Sequence, residues 1–157
     1  MTEPLYLEDL TIGRCFTSDR HPLDAGQIKR FAADYDPQAF HLDEKAAQVS
    51  FFQGLAASGW QVAALTMRLL VTGGLPIAGG IIGAGVDLTW PRATRPGDVL
   101  RAVSEITEIR PSRSKPDRGI VIVKTETRNQ DDEVVQAMTA RLLVFRRPGD
   151  TPTEDRE

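Results

Sequence analysis

Cysteine and histidine are scarce in this sequence, and their scarcity removes several classes of function. One cysteine, Cys15, and two histidines, His21 and His41, occur among 157 residues. A lone cysteine cannot close an intramolecular disulfide, and no Cys/His spacing matches a zinc site. The expectation is a protein with no metal and no cofactor. An excess of basic charge is also missing: the formal net charge is −3, which gives no electrostatic case for nucleic acid. Long hydrophobic runs are missing too. The most apolar stretch, Trp60 to Val71, is interrupted by Gln61, Thr66 and Arg68 and is too short to span a bilayer. The opening MTEPLYLEDL has no basic segment followed by an apolar run, so no secretory signal is expected, and the cytoplasm is the default setting. A content of 41% hydrophobic and 26% charged residues is that of a globular protein. One compact domain is expected over 1–147. The tail over 148–157 is Pro/Gly/acidic with nothing apolar to bury, and is expected to be disordered.

What is present falls into two halves of different period. Asp24 is a good helix N-cap with Gln27 as its capping-box partner, and Ile28, Phe31, Ala32 and Tyr35 recur at helical spacing to predict one buried face. Pro37 stops that helix, and Asp43 can cap a second short one through Ala47. After Ser58-Gly59, the run Trp60 to Val71 carries Arg68 as its single charge and predicts a helix buried all round. From Ile81 onward the period becomes that of strands. Ile81–Trp90, Val99–Arg110, Gly119–Arg128 and Val134–Arg146 are rich in β-branched residues and are separated by turn signals, with a further strand around Arg14–Ser18. An apolar helix and a long antiparallel sheet bury each other best when the sheet wraps the helix, so the predicted class is α+β.

Few residues are suited to chemistry. Asp36 and His41 lie five apart in a loop between two predicted helices, where a carboxylate and an imidazole can share one water as base and acid. On spacing alone the plainer reading is favoured: Asp36-Pro37 as a turn and His41 as a surface residue. Ser58 and Gly59 stand at the start of the apolar helix, whose first N–H groups have no partner within the helix and can hold a developing oxyanion. A simple cap explains the same two residues. Arg113 and Lys115 belong to a basic cluster around a turn; a solvated loop is the bland explanation and contact with phosphates the sharper one. The glycines at 79, 80, 83 and 85 do not form a nucleotide loop, and Ser58 is not in a GxSxG elbow.

The stretch Tyr35-Asp36-Pro37-Gln38-Ala39-Phe40-His41-Leu42-Asp43, then Ala57-Ser58-Gly59, then Thr94-Arg95-Pro96-Gly97-Asp98, resembles the MaoC-like family, in this order along the chain. That family includes (R)-specific enoyl-CoA hydratases and acyl dehydratases. The resemblance implies a single hotdog domain, a sheet wrapped around a central helix, and (R)-specific hydration or dehydration of acyl thioesters. It implies Asp36 and His41 as the catalytic pair and the Gly59 N–H as oxyanion donor. Ser58 and Trp60 would lie along the substrate, and Arg113 and Lys115 near the coenzyme A phosphates. An acyl-CoA substrate, or the acyl carrier protein form, and a homodimer or higher homo-oligomer are implied as partners. The chain departs from the usual pattern at Gln38-Ala39, where hydratases have Asn-Pro, and at Ser58, where they have His; both bear on the acyl group. Two alternatives stay open: a thioesterase on the same fold, and a non-catalytic module that binds acyl thioesters.

Overall fold

The computed structural model describes residues 3–150 and 152. A helical turn at Leu7–Asp9 precedes strands β1 (Cys15–Thr17) and β2 (His21–Pro22). Helices α1 (Ala25–Tyr35), α2 (Ala39–Leu42), α3 (Glu44–Gln48) and α4 (Gly59–Leu69) follow, then strands β3 (Ile82–Thr89), β4 (Val99–Pro111), β5 (Arg118–Arg128) and β6 (Val134–Phe145). The strands form one antiparallel sheet in the order β1-β4-β5-β6-β3, with β2 also on β4. This is the hotdog arrangement expected from the sequence. The expected disordered tail lies outside the described residues at 151 and 153–157.

Each element follows from its sequence. Asp24 accepts from the Gln27 N–H at 2.8 Å, and the Gln27 side chain accepts from the Asp24 N–H, so the capping box starts α1 where the spacing placed it. Asp43 accepts from the Ala46 N–H and opens α3. In β5, residues alternate between a buried face that includes Val121, Val123, Thr125 and Thr127 and a face turned outward. Strands β4, β5 and β6 run for 13, 11 and 12 residues. Register shifts between Ile106 and Glu108, between Thr127 and Arg128, and between Gly83 and Gly85 of β3 let strands of that length curl around α4.

The core has two parts. One joins Leu69, Leu70 and Leu75 to Ile106, Val121, Val123, Leu142 and Val144 on the concave face of the sheet. The other joins Leu23, Ile28, Ala47, Leu55, Val62 and Leu100 beneath α1 and α3. Helix α4 lies between them and gives way at Leu70–Gly74 to a wider turn. Gly73 there has φ 140°, a conformation that glycine supplies without strain.

Two expectations about burial are corrected. Helix α4 is not buried all round: Val62, Thr66 and Leu69 face the protein, but Trp60, Met67 and Val71 are 61%, 46% and 61% exposed. The sheet covers one side of the helix only, so the opposite apolar side is left open in a single chain. Tyr35 is likewise exposed, because α1 ends at that residue and its last turn projects beyond the core that covers Ile28 and Ala32.

Candidate active site

The chain turns sharply after α1, and that turn builds the site. Pro37 prevents a further helical turn, and Asp36 takes φ −152°, ψ 68° as the C-cap. Its carbonyl accepts from the Gln38 N–H at 2.7 Å, and the His41 N–H returns to the Gln38 carbonyl at 2.9 Å. One compact loop and the single turn of α2 thus carry Asp36 and His41 to the same place. The His41 Nε2 stands 3.2 Å from Asp36 Oδ2. Phe40 and Phe52 pack around the imidazole, which is buried.

The other ring nitrogen fixes the tautomer. His41 Nδ1 lies 2.6 Å from the Ala56 carbonyl oxygen, which can only accept, so Nδ1 carries the hydrogen and donates. Nε2 is then the atom that exchanges a proton with Asp36 or with a water beside it. The carboxylate is held as firmly. Burial pushes the Asp36 carboxyl up, but the Gln38 amide, donating to Oδ1 at 2.6 Å, the Ser58 hydroxyl and the facing His41 together bring it below the usual carboxylate range.

Helix α4 starts beside this pair. Ser58 is fully buried and its hydroxyl accepts from the Trp60 N–H at 3.3 Å. Among the described residues, no hydrogen bond uses the Gly59 N–H. That free donor borders a cavity of about 420 Å³ that is also lined by Asp36, His41, Trp60, Trp90 and Thr94. A helix N-terminus with an unused N–H is suited to an oxygen that gains negative charge.

The expected site residues therefore divide. Asp36, His41, Ser58, Gly59 and Trp60 come together. Arg113 and Lys115 do not join them within one chain: they sit in the tight turn between β4 and β5, whereas the site adjoins the opposite end of those strands. Nine residue-to-residue steps along β4, from Ala102 to Pro111, separate the two ends, roughly 30 Å at the usual strand rise.

Three site residues escaped the sequence reading. Gln38 supplies the amide that holds Asp36. Thr94 is buried at the cavity wall with its hydroxyl unpartnered among the described residues. Arg95 donates to the carbonyls of Phe52, Gly54 and Leu55 and so ties the Thr94–Asp98 turn to the loop that leads into Ser58. Its signal was present in Arg95-Pro96-Gly97-Asp98. Pro96 followed by Gly97 with φ 89° is a type II turn, stabilised by the Asp98 carboxylate on the Arg95 N–H.

Comparison with known proteins gives the family and agrees with the fold. Residues 10–138 match the family model described as FAS1-like, dehydratase domain region. A solved MaoC-like dehydratase from Rhodospirillum rubrum is 59% identical, over 92% of this chain and 99% of that one, with a TM-score of 0.91. The chain belongs to the MaoC-like dehydratase family. Two other similar proteins are more distant. The R-hydratase PhaJ1 from Pseudomonas aeruginosa is 25% identical, with a TM-score of 0.76 over 92% of this chain and 88% of that one. An uncharacterised Bacillus subtilis protein, YdeM, is 33% identical across 89% of this chain and 99% of its own length. Among the described residues no helix is long and apolar enough to cross a membrane.

Proposed function

We propose that this protein adds water to trans-2-enoyl thioesters to give (R)-3-hydroxyacyl thioesters, and catalyses the reverse dehydration, with coenzyme A as the carrier. The observation that carries this is the Asp36–His41 pair, 3.2 Å apart at the wall of a cavity that is also lined by Gly59, whose N–H is unused among the described residues. The likeness to an R-hydratase supports it.

The reaction follows from the arrangement. A water held by Asp36 and His41 bonds through its oxygen to the β-carbon. The π electrons of the double bond move toward the α-carbon, and the thioester oxygen takes up enolate charge against the Gly59 N–H. The pair accepts one proton from the water and delivers one to the α-carbon, so that hydrogen and hydroxyl are both added and the residues return to their first state. Because both partners stand on one side of the cavity, addition is to one face.

The working form is proposed to be a homodimer. Met67 of α4, Val71 of the wider turn that follows it, and Ile82 and Val86 of β3 are exposed apolar residues, and β3 is an edge strand. Pairing two β3 edges about a two-fold axis keeps both helices on one side of a joined sheet and makes the strands antiparallel. The partner's β4–β5 turn then falls at the same end as this chain's Asp36 and His41, which is where the basic Arg113 and Lys115 could meet coenzyme A phosphates. A sedimentation measurement should find a dimer or larger; a fully active monomer contradicts the arrangement.

Enoyl absorbance and free thiol, followed together on enoyl-CoA and hydroxyacyl-CoA substrates, test the chemistry. Loss of enoyl absorbance without thiol is the expected result. Thiol release would make the protein a thioesterase, and acyl-CoA binding without either signal would make it a binding module. Turnover of acyl carrier protein substrates alone would change the carrier.

A further inference from the structure

A second cavity, about 310 Å³, lies behind the first and is bordered by Ala63, Met67, Leu70, Val86, Leu88 and Met138. The two cavities have no lining residue in common, but their linings adjoin along the same two segments of chain. On α4, Gly59 and Trp60 border the first cavity, and Ala63, one turn later, borders the second. On the β3 side, Trp90 borders the first, and Leu88, two residues earlier and so on the same face, borders the second. They are consecutive segments of one groove between α4 and β3.

The indole of Trp90 lines the first cavity and not the second, at the point in the chain where the two linings adjoin. A methyl group built on Gly59 would fall 2.6–2.9 Å from three atoms of that ring, so the indole rests on the helix backbone itself. Its edge meets Trp60, with ring centroids 5.6 Å apart. The ring is also tied from behind. Its Nε1–H donates to Gln136 Oε1 at 3.0 Å, and Gln136 Nε2 donates to Thr66 Oγ1 at 3.1 Å. The Thr66 hydroxyl donates to the Val62 carbonyl and shares a second bond with Thr127. Gln136 and Thr127 are direct cross-strand partners, and Gln136, Thr66 and Thr127 are all fully buried. A polar bar therefore crosses the concave face behind Trp90. The next row, Thr125 opposite Met138, carries a second hydroxyl pair with Ser104, and the rows beyond it, Val123 opposite Ala140 and Val121 opposite Leu142, are wholly hydrocarbon. Burying an amide and two hydroxyls is unfavourable unless each is satisfied. Here they are, and the particular result is an indole held in one position.

We infer that Trp90 is a specificity-determining wall: it closes the acyl end of the site and restricts the protein to short-chain acyl thioesters, with the apolar cavity beyond it out of reach. The inference rests on the hydratase reading. With the thioester oxygen at the Gly59 N–H, the acyl chain leads past the reacting carbons toward a ring that lies on Gly59 itself. A short chain ends before the indole; a long one collides with it.

The test compares turnover of crotonyl-CoA and dodecenoyl-CoA by the wild type, Trp90→Ala and Gln136→Leu. Calorimetric binding of the saturated butyryl-CoA and dodecanoyl-CoA accompanies it. The wild type should favour crotonyl-CoA. Trp90→Ala should raise the dodecenoyl-to-crotonyl ratio of kcat/KM by about tenfold or more, the scale on which a hydrocarbon pocket discriminates by fit. Gln136→Leu, which leaves the indole in place but untied, should move the ratio the same way by less, and it decides the question if Trp90→Ala does not fold. A wild type that turns over both substrates equally well overturns the inference, as does a ratio unmoved in folded variants. Suppose instead that no enoyl thioester is turned over, yet butyryl-CoA binds more tightly than dodecanoyl-CoA and Trp90→Ala abolishes the preference. Then the hydratase reading fails while the wall stands. A protein that binds neither thioester refutes both.

Discussion

At its C-terminal end, α4 sinks Leu69 and Leu70 into a cluster of leucine, isoleucine and valine side chains. At its N-terminal end the same helix presents a free N–H, the exposed ring of Trp60 and the nearby Asp36–His41 pair to an open cavity. Packing is nearly complete at one end and deliberately incomplete at the other. The contrast teaches that one helix can separate stability from chemistry along its length. Substitutions at the two ends should therefore fail in different ways.

The largest effect is expected at the N-terminal end. Asp36→Asn keeps shape but removes the carboxylate, and His41→Gln keeps a hydrogen-bonding group but removes the titrating ring. Each should lower kcat by roughly 10²–10⁴, and the double variant should be hardly worse than the poorer single, since groups acting as a unit are non-additive. His21→Gln is the control: His21 lies in β2, outside the cavity, and its loss should leave turnover nearly intact. Wild-type kcat in both site variants would remove the basis of the proposed chemistry.

The opposite end should show the reverse profile. Leu69→Ala removes a side chain that is only 5% exposed and should destabilise the fold by about 2–5 kcal/mol, with kcat of the remaining folded protein little changed. Leu65 is only half-buried and should respond less than Leu69. Chemical denaturation read beside activity checks both. If Leu69→Ala costs less than about half a kcal/mol, a surface-like value, the contrast between the two ends is wrong.

Much of the fold was legible because local rules and global packing agree. The capping box at Asp24, the stop at Pro37 and the change to strand period near Ile81 are each decided by neighbouring residues, and the structure repeats them within a residue or two. The closeness of Asp36 to His41 was legible for the same reason, since both stand on one short loop. Other features were not. The exposure of Trp60 and Met67 depends on how far the sheet reaches around α4, which no periodicity in α4 reports. The tie between Trp90 and Gln136 joins residues 46 apart in sequence, and the grip of Arg95 on Phe52, Gly54 and Leu55 joins residues 40 to 43 apart. Long-range polar pairs leave no local signature: the turn at Arg95 was readable from its own residues, but the partners of Arg95 and of Trp90 were not.

Arg95 offers a smaller effect that sharpens the comparison, because it fixes the loop behind the catalytic end without touching the cavity's polar groups. Arg95→Met keeps much of the hydrocarbon stem and removes the charged bonds to three carbonyls. A loss of about 1–3 kcal/mol in stability is expected, the range for leaving buried hydrogen-bonding groups unpaired. The accompanying change should appear mainly in KM, as the Phe52 wall loosens. A variant with unchanged melting and unchanged KM would mean that the loop holds itself.

The smallest expected effect is on pH dependence, and it separates the two ends by a different lever. Burial raises the Asp36 carboxyl, but the hydrogen bonds from Gln38 and Ser58 and the facing His41 outweigh it, so the folded-state value lies below the ordinary 3.8. A carboxyl depressed in the folded state binds its proton more weakly there than in the unfolded chain. Its contribution to stability is fully present above the unfolded value and is lost as pH falls through the lower folded value. Stability should therefore fall less steeply with acid in Asp36→Asn than in the wild type, within the window below about pH 4. Leu69→Ala should lower the whole curve without changing its slope, because no titrating group is involved. Gln38→Met should lie between the wild type and Asp36→Asn, since it removes one of the bonds that hold the carboxylate and leaves the others. Unfolding midpoints in urea at pH 3, 4 and 6 for these four proteins measure the slopes directly. Identical acid slopes for the wild type and Asp36→Asn would show that Asp36 is an ordinary solvated carboxylate, and the site would then lack the pre-set base that the proposed hydration needs.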